Sequence, residues 1–128
     1  MDFLSSNSSL MLEKSLGYLW AKQSAIADNV TNAETPGYRE KIVTFEESLK
    51  SKLLQASRGA APVKSMREVL EGSSFRVTEQ AVQTRMDDNG VNTTDQMVEL
   101  VRNAYQQQYV YQAINKHYSI LRMAVRGQ

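Results

Sequence analysis

"NVTNAETPGYRE", residues 29–40, decides how this chain is organised. Asn29, Val30, Asn32 and Ala33 keep a helical rhythm, and Thr35, Pro36 and Gly37 then stop it. Proline disfavours helix at the residue before it, and glycine permits a reversed backbone, so the chain leaves its first helix at a fixed point. Upstream, Leu12, Leu16, Leu19, Gln23, Ile26, Val30 and Ala33 follow one another at steps of four and three, which puts them on one seam of a helix. Only Gln23 among them is polar. The spacing fits an ordinary core-facing stripe and a coiled-coil seam equally well.

The next long helix lies at the other end of the chain. Thr93 and Gln96 have capping-box spacing, and Asp95 brings negative charge to the first turn, so the helix is predicted from Thr94 to about Val125. Lys116, Arg122 and Arg126 complement the carbonyl end of its dipole. Its predicted seam is Leu100, Ala104, Gln107, Tyr111, Ile114, Tyr118, Leu121 and Val125. A further row, Val98, Val101, Tyr105, Tyr109 and Met123, lies roughly 150° around the same helix. One partner helix cannot cover both rows. The amino-terminal helix is expected on the seam and other molecules on the second row; the alternative is that residues 40–90 fold over it.

Between these helices the pattern is weaker. "KIVTF" (41–45) reads as a short extended piece, and Phe45, Leu49, Leu53 and Ala56 give residues 45–57 helical spacing. "SRGAAPV" (57–63) reads as a loop, "VKSMREVLEG" (63–72) as a brief helix, and "SSFRVTEQAV" (73–82) as holding a strand. Asn89-Gly90 within "DDNGVN" (87–92) supplies a turn ahead of the cap.

The chain has 128 residues, enough for one modest core. Hydrophobic residues make up 41% and charged residues 23%, which excludes wholesale disorder, although a mean hydropathy of −0.46 marks a rather polar chain. Fifteen basic against fourteen acidic residues give a net charge of +1 with no block of one sign, so no nucleic-acid partner is expected. Without cysteine there is neither a disulfide framework nor a thiolate metal site. "MDFLSSNSS" (1–9) lacks the basic start and apolar run of a cleavable signal peptide. "SLGYLWA" (15–21), bounded by Lys14 and Lys22, is far short of the roughly 20 apolar residues a membrane span needs, so no membrane insertion is expected.

Catalytic parts are missing. His117 is the sole histidine, which leaves a histidine zinc site or a nucleophile–base triad without its components; a solvated or dipole-contacting histidine is the simpler reading. Asp87 and Asp88 do not alternate with further oxygen ligands as a calcium loop requires, and they read as turn residues. There is no phosphate loop, no GxSxG elbow and no HExxH. The triplets at Asn7, Asn29 and Asn92 match the glycosylation pattern, but it is short, arises by chance, and has no secretory signal beside it. No enzyme activity, cofactor or metal is expected.

Taken together, "IADNVTNAETPGYR" (26–39) and "VELVRNAYQQQYVYQAINKHYSILRMAVRG" (98–127) resemble the bacterial flagellar basal-body rod proteins. The matching motif positions are Asn29, Asn32, Ala33, Thr35, Pro36, Gly37 and Tyr38, and the ending "YSILRMAVRG" is similar to that of the proximal rod subunits. The resemblance covers both ends and fades between residues 46 and 86. It departs at "NGVN" (89–92), where the family usually has Asn-Asn-Val-Asp.

The resemblance implies a mainly α fold whose terminal helices pair as an antiparallel coiled-coil hairpin. Residues 1–33 and 93–128 would form an axial domain, and 34–92 a small irregular middle with a short helix and strands. It implies a structural subunit exported by the flagellar type III apparatus without a cleaved signal and placed in the basal body outside the cytoplasmic membrane. Its expected partners are copies of itself, other rod subunits, the membrane ring and the export gate. Apart from that resemblance, a soluble helical adaptor or chaperone-like module, gripping a client with the second row, fits the residues too.

Overall fold

A computed structural model describes residues 6–80 and 91–127. In chain order its elements are α1 (Asn7–Thr31), β1 (Glu40–Thr44), α2 (Glu46–Ser57), α3 (Pro62–Glu71), β2 (Arg76–Gln80) and α4 (Thr93–Arg126). The fold is mainly helical, with a two-stranded antiparallel sheet between the two long helices.

The helix ends follow local chemistry. Ser6 caps α1 by accepting the Ser9 N–H at 3.2 Å on its hydroxyl oxygen. Asn32 closes it, donating its backbone N–H to the Asp28 carbonyl. The turn that follows uses Gly37 at φ 72°, a conformation open to glycine and costly for other residues. Pro62 opens α3, where a missing N–H costs nothing. Gly127, at φ 69°, ends α4 by donating to the Met123 carbonyl.

The start of α4 corrects the expected cap. Asn92, not Thr93, is the capping residue; its Oδ1 accepts the Thr94 N–H at 3.1 Å, and its Nδ2 donates to Asp95 at 2.8 Å. Gln96 does not reach back to the helix start and is 4% exposed, engaged elsewhere. The middle segment carries the two helices expected over 45–57 and 63–72, as α2 and α3. Asp87 to Gly90, read as a turn, lies outside the described residues.

α1 and α4 run antiparallel. Side chains that bridge them pair Asn29 with Gln96, Lys22 with Glu99, and Leu19 with Asn103, so one number rises as the other falls. With 25 and 34 residues, the helices are about 38 and 51 Å long. β1 and β2 pair from Glu40 opposite Gln80 to Thr44 opposite Arg76. α3 lies along the first half of α1, held where Asn7 donates to the Val63 carbonyl at 2.9 Å and Lys14 to that of Ser73 at 3.0 Å.

One core joins these parts. It takes Tyr18, Leu19 and Ala25 from α1, Val43 and Phe45 from β1 and its end, Leu49 from α2, Leu70 from α3 and Val110 from α4. Tyr18 and Phe45 stack with ring centres 5.4 Å apart. The middle segment therefore shares its apolar contacts with the helix pair instead of building a separate core.

Candidate functional site

The Asn-rich end of α1 forms a buried polar knot. Asn29, 1% exposed, uses every hydrogen-bonding position of its amide. Its Nδ2 donates to the Lys41 carbonyl at 2.9 Å and to Gln96 Oε1 at 3.0 Å. Its Oδ1 accepts the Lys41 N–H at 2.8 Å and the Tyr38 hydroxyl at 3.3 Å. Gln96 in turn donates to Glu40 at 2.6 Å. Helix end, turn, strand start and α4 start thus meet at one side chain.

The other motif residues serve the same turn. Asn32 donates its side-chain amide to the Asp28 carbonyl at 2.8 Å and accepts the Thr35 hydroxyl at 3.3 Å. Ala33 is buried, while Thr35, Pro36 and Gly37 are exposed. Tyr38 is half-buried, and removal from water pushes its hydroxyl above the usual tyrosine range. Beside it, the Asp28 carboxylate 2.8 Å from Lys41 raises the Lys41 ammonium above its ordinary value.

On α4 the face turned to α1 differs from the expected seam. The buried residues are Gln96, Asn103 and Val110, one heptad apart, with Leu100, Gln107, Ile114, His117 and Leu121 half-buried on the same side. Ala104, Tyr111, Tyr118 and Val125 are exposed, and Val125 is 88% so. The helix is rotated by roughly 60° from the apolar pattern. Amides outside that seam cause the difference: Gln96 accepts from Asn29 at 3.0 Å, and Asn103 donates to the Leu19 carbonyl at 3.1 Å. A search for apolar periodicity passes over such residues; admitting amides at heptad spacing would have found Gln96 and Asn103.

On α1, Leu19 and Ile26 are buried, and Leu12, Leu16 and Val30 half-buried. Gln23 is exposed at the seam's edge, bonded only at its tip. Lys22 and Glu99 form an ion pair across the seam at 2.9 Å, and the ammonium's hydrogen bond holds the Glu99 carboxyl below the usual range. His117 is half-buried, with Nε2 enclosed and lacking a hydrogen-bond partner among the described residues.

Val98, Val101, Tyr105, Tyr109 and Met123 all face outward, with Tyr105 70% and Tyr109 73% exposed. The two tyrosines edge an apolar groove of about 750 Å³. Leu49, Leu53 and Leu54 of α2 line its other wall, and Tyr18, Leu19 and Val110 its buried side. Farther on, the antiparallel register carries α4 past the described start of α1 from about Tyr118 onward. Tyr118, Leu121 and Val125 lie on that stretch with Arg122 and Arg126 beside them.

No family model matches the chain. The flagellar basal body rod protein FlgB of Aeromonas hydrophila is 24% identical over 110 residues, covering 84% of this chain and 83% of that protein. The chain is thus similar, at a distance, to a flagellar rod protein along most of both lengths. Among the described residues no helix is long and apolar enough to cross a membrane.

Proposed function

We propose that the chain is a non-catalytic structural subunit of the flagellar basal-body rod, at its proximal end. The observation that carries this reading is its distant identity to a rod protein across most of both chains. Residues 1–33 and 93–128 form the axial part, residues 34–92 lie outside it, and polymerisation through the terminal helices joins the membrane ring and export gate to the rest of the rod. The chain reaches that place through the type III export apparatus, without a cleaved signal.

The physical features favour this role. Tyrosine and methionine offer large apolar bodies that tolerate a wet edge, and here they form an outward row that the protomer leaves uncovered. A row of that kind on a rigid helix is suited to neighbours in a lattice. The seam residues Leu12, Leu16, Leu19, Ile26, Val30, Leu100, Ile114 and Leu121 set the helix pair, and Val98, Val101, Tyr105, Tyr109 and Met123 supply contacts between subunits.

The test is direct. An epitope-tagged copy in the source bacterium should co-purify with isolated basal bodies, and deletion should abolish both motility and rods. A motile deletion strain, with the tagged chain absent from basal bodies, would overturn the proposal. The apolar groove also suits an adaptor that grips a client, and that reading requires the tagged chain to stay in the soluble cytoplasmic fraction with a bound protein.

A further inference from the structure

Basic and acidic residues nearly balance in number but not in place. Residues 50–67 hold Lys50, Lys52, Arg58, Lys64 and Arg67, residues 100–128 hold Arg102, Lys116, Arg122 and Arg126, and neither stretch contains an acidic residue. The fold brings the start of α3 and the end of α4 to the same end of the molecule. Asn7, at the start of α1, donates to the Val63 carbonyl at 2.9 Å, and α4 passes that start from about Tyr118 onward. Arg58, Lys64, Lys116, Arg122 and Arg126 are all exposed there.

The last turns of α4 are also two-sided. At about 100° per residue, Ile120, Ala124, Leu121, Val125 and Tyr118 cover an arc of roughly 160°, which takes in the half-buried His117. Arg122, Arg126, Ser119 and Lys116 lie on the other side, with Met123 among them. The protomer leaves the apolar arc open: Tyr118 is 57%, Ile120 47% and Val125 88% exposed.

We infer that this end of the molecule adsorbs on the surface of an anionic phospholipid bilayer, with the apolar arc of α4 in the boundary between headgroups and acyl chains. The inference goes beyond the rod reading and does not depend on it. An interfacial helix has an apolar side, a polar side rich in Lys and Arg, and low overall hydrophobicity, and this stretch has all three. Arg122 and Lys116 stand at the two borders of the arc, where their stems follow apolar surface while the charged heads reach phosphates. Tyr118 suits the same depth, with its ring in the apolar layer and its hydroxyl among the headgroups. A soluble polyanion would satisfy the basic residues and leave the arc wet; a bilayer offers an apolar layer beneath an anionic plane and covers both. Among the described residues no helix is long and apolar enough to cross a membrane, so the contact is one of surface and not of span.

The test is flotation of the purified full chain with vesicles, which separates bound protein from protein that has self-associated. The chain should float with vesicles of phosphatidylcholine and phosphatidylglycerol, stay behind with phosphatidylcholine alone, and be released by added salt. Arg122→Gln with Arg126→Gln should weaken binding roughly 25-fold, since each basic residue near an anionic surface contributes about fivefold. Ile120→Ser with Val125→Ser should weaken it at least about tenfold with the circular dichroism unchanged, because both sites are exposed. Arg39→Gln with Arg76→Gln, an equal loss of charge away from this end, should leave binding within about twofold. No flotation with the anionic vesicles at low salt would overturn the inference. So would an equal loss from the Arg39 and Arg76 pair, which reduces the effect to net charge. Retention on heparin-agarose, together with vesicle binding indifferent to the Ile120 and Val125 changes, would assign this end to a soluble polyanion instead.

Discussion

The side-chain amide of Asn29 donates to that of Gln96 at 3.0 Å, joining two helices across 67 positions of sequence. The bond sits in a knot in which Asn29 leaves no donor or acceptor unused. Replacing it by alanine strands the Lys41 backbone groups and the Gln96 oxygen in a buried place. Asn29→Ala should therefore cost about 2–4 kcal/mol, read from chemical denaturation. A double-mutant cycle with Gln96→Ala should give a coupling of about 1 kcal/mol or more. Additive losses would mean that each amide acts alone.

The outward tyrosines lead to the opposite expectation for stability. Tyr105 and Tyr109 are mostly exposed, so Tyr105→Asp with Tyr109→Asp should shift stability by no more than about 0.5 kcal/mol for each site. Rod assembly and motility should nevertheless be lost while export continues. Leu19, 4% exposed, is the contrast: Leu19→Ala should cost about 3 kcal/mol, and Leu19→Asp should prevent incorporation altogether. A motile double tyrosine variant would remove the case for that face as an interface.

Much of this architecture was legible in the sequence because it is written in the strongest signals. The Thr35-Pro36-Gly37 stop, the spacing of Leu19 and Ile26, and the long apolar pattern after Thr93 give two terminal helices and their pairing. Gly37 at φ 72° is the residue that the turn demands. The rotation of α4 was not legible, because its inward face carries Gln96 and Asn103, whose merit lies in specific bonds to α1 that no hydropathy pattern encodes. Ala104, Tyr111, Tyr118 and Val125 carry the stronger apolar signal and yet are exposed. The cap differs from its expected position for a related reason: Gln96 has capping-box spacing from Thr93 yet is recruited by Asn29 from the other end of the chain.

The ion pairs and the knot set limits in pH. Glu99 is held below its ordinary 4.5 by Lys22, so its contribution is present above that value and lost as pH falls through the depressed one. Tyr38 is raised above 10.0 by burial, and Lys41 above 10.5 by Asp28; both contributions are present below those values and lost as pH rises through the elevated ones. The melting temperature should therefore hold between these limits and fall on either side. Lys22→Met should soften the acid limb and Tyr38→Phe the alkaline one. An alkaline limb unchanged by Tyr38→Phe would mean that the knot does not sense that hydroxyl.

Asn103 offers the sharpest separation of stability from specificity. It is 1% exposed, donates to the Leu19 carbonyl, and leaves its own Oδ1 without a partner among the described residues. An enclosed oxygen of this kind costs free energy that an apolar side chain of similar size avoids. Asn103→Leu should thus leave stability within about 1 kcal/mol of the parent, or raise it. What it removes is the polar mark that fixes one helix against the other, since a leucine seam tolerates shifts that a buried amide penalises. With cysteines at exposed Gln23 and Ala104, each reporting the alignment of its helix, the parent should cross-link with one intramolecular pattern. The Asn103→Leu chain should give a broader set of linked species when the cysteine is walked along α4 one turn at a time. A large loss of stability with the pattern unchanged would show instead that Asn103 acts through its bond to Leu19 and not through register.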